Sequence, residues 1–213
     1  YPGLSPLQRR LARLFLNLPE AVHFALAGGA ALVFYGAVPR TTKDLDFFGP
    51  MAEEVRPAAE AFLARLAAEG LKVETITSSP TFVRLVVRDG GGVDIGRDTR
   101  LFAPERTEIG RVLSPKELAA DKLLALFGRA EARDFVDVFF LARRFGIRMM
   151  LEWAKEKDPG FDPYRLALGL GRFASLPREE FAIEDETYAE MARFFRALRH
   201  LLIEETLDRP EGN

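Results

Sequence analysis

The chain has 213 residues, with 30 basic and 32 acidic side chains for a formal charge of −2, and it is 48% hydrophobic and 29% charged. That is an ordinary globular composition with enough apolar residues for a core, and near-neutrality gives no global electrostatic argument for nucleic acid, so any basic surface must be local. With no cysteine and only His23 and His200, disulfides, thiolate metal sites and cysteine nucleophiles are excluded and a histidine-rich zinc site is disfavoured.

There is no apolar run of about 18 residues or more and no signal-peptide pattern. The expectation is a cytoplasmic chain with no membrane partner. The sequence opens at Tyr1 rather than Met, so the natural start is expected to lie upstream.

In chain order, "SPLQRRLARLFLN" (5–17) has helical spacing, with Ser5 as N-cap and Pro6 in the first turn. "VHFALAGG" (22–29) reads as a short buried strand running into glycines, and "AALVFYG" (30–36) as a short helix ended near Gly36 and Pro39. "DLDFF" (44–48) is a second strand. Residues 52–70 form a largely amphipathic helix capped by Gly70, with Pro57 marking its true first turn. "KVETIT" (72–77) and "TFVRLVVRD" (81–89) are β-rich, and Gly90–Gly92 turns the chain into a hairpin partner, "VDIG" (93–96). One more short strand is expected within 97–113. From Ser114 the chain reads helical: 114–130, opened by a Ser114/Glu117 capping box, then 131–146, then stretches around 148–156, 163–170 and 185–206, with 208–213 as a frayed tail. The organisation is a mixed α/β half, roughly 20–112, and an all-helical half beginning near Ser114.

The chemistry-bearing residues concentrate in the first half. On a strand, residues two apart share a face, so Asp44 and Asp46 stand side by side while Leu45 and Phe47 face the core. Adjacent carboxylates repel unless a cation compensates, and Mg²⁺, with its preference for carboxylates, water and phosphate oxygens, is the usual cation. Asp94, between Val93 and Ile95, supplies a third carboxylate on a neighbouring strand. Three such groups can hold two metal ions about 3.5–4 Å apart, which suits in-line nucleotidyl transfer. Gly28-Gly29, between a strand and a helix, lets backbone N–H groups approach a phosphate. Arg40 can add a phosphate contact, and Thr42 can orient an aspartate or a phosphate oxygen. Taken singly, each feature has a plainer reading: a tight turn, a solvated edge, turn chemistry beside glycine. Their order and spacing together point to a site.

Gly28, Gly29, Ala31 and Leu32, followed by Arg40, Thr42, Asp44 and Asp46, spell GG-x-AL and R-x-T-x-D-x-D. This resembles the first motif of the abortive-infection nucleotidyltransferase toxins of the AbiEii/AbiGii type, within the polymerase-β-like superfamily. Lys122 followed by Arg133, Asp134 and Asp137 in "RDFVD" is similar to that family's lysine and R/K-D-x-x-D element. The resemblance covers roughly residues 24–145. It implies an α+β fold, with a mixed-sheet nucleotidyltransferase domain over 1–113 and a helical C-terminal domain over 114–213. It also implies a Mg²⁺-dependent, ATP-binding class of transferase that moves a nucleoside monophosphate from an NTP to an acceptor, with RNA (notably tRNA 3′ ends) as acceptor and an antitoxin as partner. Carried over, Asp44 and Asp46 are metal ligands, Lys122 a triphosphate contact, and Asp134 a second-half site residue that activates the acceptor or fixes Lys122. Asp94 is assigned from its strand context rather than from a motif.

Arg133 and Asp137 are also spaced i, i+4 and as an exposed pair would contribute only about 0.3–0.5 kcal/mol. His23 has no partner ligand of the usual type nearby. Trp153, Phe161, Tyr164 and Phe173 read as packing residues rather than a base-stacking platform. Arg9-Arg10 and Arg143-Arg144 read as solvated faces, and are the first places to look for an RNA-backbone contact. Two other functions compete: an antibiotic nucleotidyltransferase of the aminoglycoside type, and a non-catalytic nucleotide-binding module.

Overall fold

The computed structural model describes residues 3–207; the tail expected over 208–213 lies outside the described residues. The chain divides into two compact units, Tyr1–Leu118 and Ala119–Asn213.

The first unit is built on a seven-stranded sheet. Its strands are β1 (Ala25–Ala27), β2 (Leu45–Gly49), β3 (Val73–Ser78), β4 (Phe82–Val87), β5 (Gly91–Arg97), β6 (Glu105–Thr107) and β7 (Gly110–Val112), in the order β3-β4-β5-β2-β1-β7-β6. The β2–β5 and β1–β7 pairs are parallel and the others antiparallel, which makes the sheet mixed. The loop expected to hold one strand over 97–113 forms the two-stranded β6–β7 hairpin. The helices are α1 (Pro6–Leu16), α2 (Gly28–Phe34), α3 (Val55–Ala68) and the start of α4 (Pro115–Gly128), within which the division between the units falls. Pro57 sits in the first turn of α3, where its missing N–H costs nothing.

Alternation on β2 decides which face is core. Leu45 and Phe47 are fully buried, while Asp46 and Phe48 are intermediate. One row of paired residues, Val83, Ile95, Phe47, Leu26 and Val112, crosses five strands, and each is at most 2% exposed. Phe15 of α1 stacks on Phe47 with centroids 4.3 Å apart and meets Phe24 and Phe62 edge-on at 5.6 and 5.2 Å. Such ring pairs add about 0.5–1.5 kcal/mol each beyond burial. The apolar face of β2 is therefore anchored under an aromatic cluster, and its acidic residues are left on the other face.

Two polar devices tie loops to this frame. Ser5 and Gln8 form a capping box at the start of α1, and the Gln8 side-chain amide also donates to the Thr42 carbonyl at 2.9 Å, which fixes the segment entering β2. Glu117, fully buried, accepts the backbone N–H groups of Leu101 and Phe102 at 2.9 and 2.7 Å, while its own N–H donates to Ser114 Oγ at 3.3 Å. The carboxylate expected to close a cap fastens the loop after β5.

The second unit continues α4 and adds α5 (Ala132–Phe145), α6 (Ile147–Lys157), α7 (Pro163–Leu170) and α8 (Asp185–Leu207). Short 3₁₀ turns at Gly171–Ser175 and Arg178–Phe181 precede α8. Phe135 is its hub, edge-on to Phe173 at 5.2 Å and to Phe195 at 5.0 Å. Trp153 packs on Phe145, and Phe161 on Phe127, so these aromatics are packing residues; Tyr164 remains 41% exposed. No described helix is long and apolar enough to cross a membrane.

Candidate active site

The strand register assembles the carboxylates. Asp46 on β2 pairs with Asp94 on β5, and Arg84 on β4 pairs with Asp94. A row therefore runs Arg84, Asp94, Asp46, Ala27, with Asp44 two residues back from Asp46 on the same face.

Glycines shape the pockets in which two of these carboxylates rest. Gly28 has φ +57°, and a Cβ placed there would stand 2.0 Å from Asp46 Oδ2. Gly92 donates its N–H to Asp44 Oδ1 at 3.1 Å, and a Cβ on it would lie 2.6 Å from that same oxygen. Gly91, at φ +83°, leaves room for the Lys43 carbonyl. The Gly90–Gly92 run is therefore more than a turn: its last two residues belong to β5 and form a bare strip against which the Asp44 segment lies. Gly29 makes space of another kind, since a Cβ there would meet Arg40 Nη2 at 3.0 Å and Thr42 Oγ1 at 3.4 Å. Thr42 uses its hydroxyl to donate to the Asp44 carbonyl at 3.2 Å.

Arg84, which the sequence pattern did not single out, lies near two carboxylates. Its Nε is 3.5 Å from Asp94 Oδ1 and its Nη2 is 3.9 Å from Asp44 Oδ2. Only its place in the β4–β5 hairpin could have flagged it. Burial pushes the Asp94 carboxyl above the ordinary aspartate range; the Arg84 charge opposes that rise and the Asp44 charge adds to it.

The three acids are not gathered into a ready cage. Among the described residues no group of three His, Asp or Glu side chains is placed to hold a metal ion, and Asp44 accepts the Gly92 N–H instead. The donor set nonetheless fits a divalent cation. Asp94 Oδ1 is buried and lacks a hydrogen-bond partner, and the glycine cradles hold hard oxygen donors on one face with no competing soft ligand.

The family model for AbiEii nucleotidyl transferase toxins, of type IV toxin–antitoxin systems, matches residues 9–209. The chain belongs to the AbiEii family. It is a nucleotidyltransferase with a nucleotide substrate, and its fold is that of polymerase-β-like nucleotidyltransferases followed by helices. JHP933 from Helicobacter pylori has the same fold at 20% identity and TM-score 0.54, over 96% of this chain and 97% of that one. A second Helicobacter pylori chain, put forward as a nucleotidyltransferase, matches at 19% identity and TM-score 0.54 over 97% and 100%. The solution structure of the antibiotic-resistance factor ANT(2'')-Ia matches at 14% identity and TM-score 0.50, over 72% of this chain and 92% of that one. No curated protein matches the sequence.

In the helical unit of this AbiEii chain, Lys122 Nζ lies 2.9 Å from Asp137 Oδ2, with the lysine side chain 8% exposed and the aspartate fully buried. The reading of Asp137 as half of an exposed i, i+4 pair with Arg133 is therefore corrected. Arg133 bonds Glu131 instead, at 2.8 Å. The suggestion that Asp134 fixes Lys122 is corrected too. Asp134, fully buried, is clamped by Arg129 through two 2.8 Å hydrogen bonds and caps α5 reciprocally with Glu131. Sequence reasoning missed Arg129 because its partner lies across the helix–helix turn.

The remaining candidates have local partners. His23 Nδ1 is 2.7 Å from Glu54 Oε1. Arg10 pairs with Glu69, Arg9 with Glu108 and Arg143 with Glu190, and Arg144 lies over the Phe145 ring.

Proposed function

We propose that this AbiEii chain is a Mg²⁺-dependent nucleotidyltransferase that transfers a nucleoside monophosphate from an NTP, ATP among the candidates, to the hydroxyl end of an RNA. A tRNA 3′ end is the acceptor of choice, and the chain acts as the toxin of a toxin–antitoxin pair, the abortive-infection role. The nucleotidyltransferase domain is taken as residues 1–113 and the helical domain as 114–213, in a cytoplasmic protein where NTP and RNA are both at hand. The observation that carries this reading is the pairing of Asp46 with Asp94 on adjacent parallel strands, with Asp44 on the same face and Arg84 beside them.

Asp44, Asp46 and Asp94 would hold the metal, two ions for a three-carboxylate set. When bound, Mg²⁺ neutralises triphosphate charge and lowers the pKa of the attacking hydroxyl. The chain itself supplies position. Gly28 and Gly92 leave room for Asp46 and Asp44, and Thr42 steadies the backbone between them. Arg40, against Gly29, presents a guanidinium suited to phosphate oxygens. The acceptor oxygen bonds to the α-phosphorus as the bond to the β-phosphate oxygen breaks, and pyrophosphate leaves. Positioning and charge stabilisation account for the acceleration. The resemblance gives Lys122 to the triphosphate and Asp134 to the second half of the site. Within their own unit both are committed to ion pairs, with Asp137 and Arg129 respectively.

The test is incubation with labelled NTPs and Mg²⁺ against total RNA, and in parallel against an aminoglycoside. Label in RNA that disappears with Asp46→Ala, while the variant keeps its melting transition, supports the proposal. Label in the aminoglycoside alone would point to the antibiotic class. Nucleotide binding without transfer to either would point to a binding module.

A further inference from the structure

Arg84 differs from Arg129 in how it meets its carboxylate. Arg129 grips Asp134 with two parallel hydrogen bonds of 2.8 Å, the geometry of a committed pair. Arg84 stands back, at 3.5 Å from Asp94 and 3.9 Å from Asp44, and the nearer oxygen, Asp94 Oδ1, is buried without a hydrogen-bond partner. The contact is electrostatic and loose. The guanidinium side chain is also 43% exposed, so it can turn toward solvent without breaking a hydrogen bond.

We propose that Arg84 is a displaceable counter-ion, which compensates Asp44 and Asp94 in the free protein and gives way to a divalent cation. This rests on the reading of Asp44, Asp46 and Asp94 as metal ligands. The physical reason is a conflict on one strand row. Without a cation, the neighbouring carboxylates repel and splay. With a tightly bonded arginine, the metal could not enter. A half-exposed cation held by charge alone satisfies both requirements, at the cost of competing with the metal.

That competition is measurable without turnover. Mn²⁺ serves as the probe, titrated into the full chain without nucleotide and followed by calorimetry and by the electron paramagnetic signal of free Mn²⁺. The wild-type protein binds Mn²⁺, and Asp46→Asn abolishes that binding. Arg84→Gln binds about tenfold more tightly, equivalent to about 1.4 kcal/mol, whereas Arg84→Lys, which keeps the charge, stays close to wild type. The Mn²⁺-induced rise in melting temperature is also larger in Arg84→Gln than in wild type, since its metal-free form lacks the counter-ion. Equal or weaker Mn²⁺ binding by Arg84→Gln, with binding still dependent on Asp46, would overturn the counter-ion role and leave the metal reading standing. Mn²⁺ binding indifferent to Asp46→Asn would remove the metal reading and this inference with it. A Gln variant that fails to melt cooperatively even with Mn²⁺ would make Arg84 a structural clamp and overturn the proposal as well.

Discussion

Gly92→Ala would displace one carboxylate without altering its chemistry. Gly92 has no left-handed backbone angle, so the substitution carries no φ penalty and acts only through its new methyl. That methyl would stand 2.6 Å from Asp44 Oδ1 and 3.2 Å from its Cγ. Ordinary contact begins near 3.4 Å, so the oxygen must retreat by about 0.8 Å and gives up its 3.1 Å bond from the Gly92 N–H. A hydrogen bond to a charged group contributes about 1.5–3 kcal/mol. Asp44 is 39% exposed, so water recovers part of this, and the expected loss is about 1 kcal/mol, or about 2–4 °C in Tm for a chain of this size. The effect on chemistry is larger, because a displacement near 1 Å in a positioned group can cost about 100-fold. The assay pairs initial rates of labelled NMP transfer with thermal melts. Gly169→Ala is the control: that glycine lies inside α7 with nothing within 4 Å of an added methyl, so transfer should be unchanged and stability should rise by about 0.5 kcal/mol. If Gly92→Ala transfers at the wild-type rate with an unchanged Tm, Asp44 is not held against that strand.

Gly28→Ala should be harsher, since it adds about 1–2 kcal/mol of left-handed backbone strain at φ +57° to a methyl 2.0 Å from Asp46 Oδ2; melts and transfer should fall together. Asp94 is pushed above its ordinary range by burial, so the folded state holds that proton more tightly than the unfolded chain does. The contribution of Asp94 to metal-free stability should therefore be greatest at low pH and fall as pH rises through the raised value, while transfer rises over the same interval as the carboxylate ionises. Asp94→Asn should flatten that stability profile, raise the metal-free Tm at neutral pH and abolish transfer, and a lowered Tm would contradict the burial argument. Lys122→Met takes from the buried Asp137 its lysine partner at 2.9 Å, at about 3–5 kcal/mol. Adding Asp137→Leu should recover much of that loss, and additive losses in urea melts would refute the pairing.

Local periodicity made most of the elements readable in the sequence. Strand alternation in 44–48 put Leu45 and Phe47 inward and Asp44 and Asp46 outward, and helical spacing with Ser5 and Pro6 set the start of α1, because both patterns depend on neighbours a few residues apart. Of the β6–β7 hairpin only one strand was expected, because three-residue strands are too short to show a period. Asp94 could be proposed from its apolar neighbours, but only the parallel register of β2 with β5 set it beside Asp46.

The tertiary structure alone decided what depends on partners distant in the chain. The Asp44 carboxylate rests on a glycine 48 residues away, so no local pattern could tell that Gly92 serves as more than a turn. Arg84 lies near two acids through the register of β4 on β5. Lys122 takes Asp137, while Arg129 takes Asp134, a choice between two acids on one helix that sequence spacing leaves open and packing resolves.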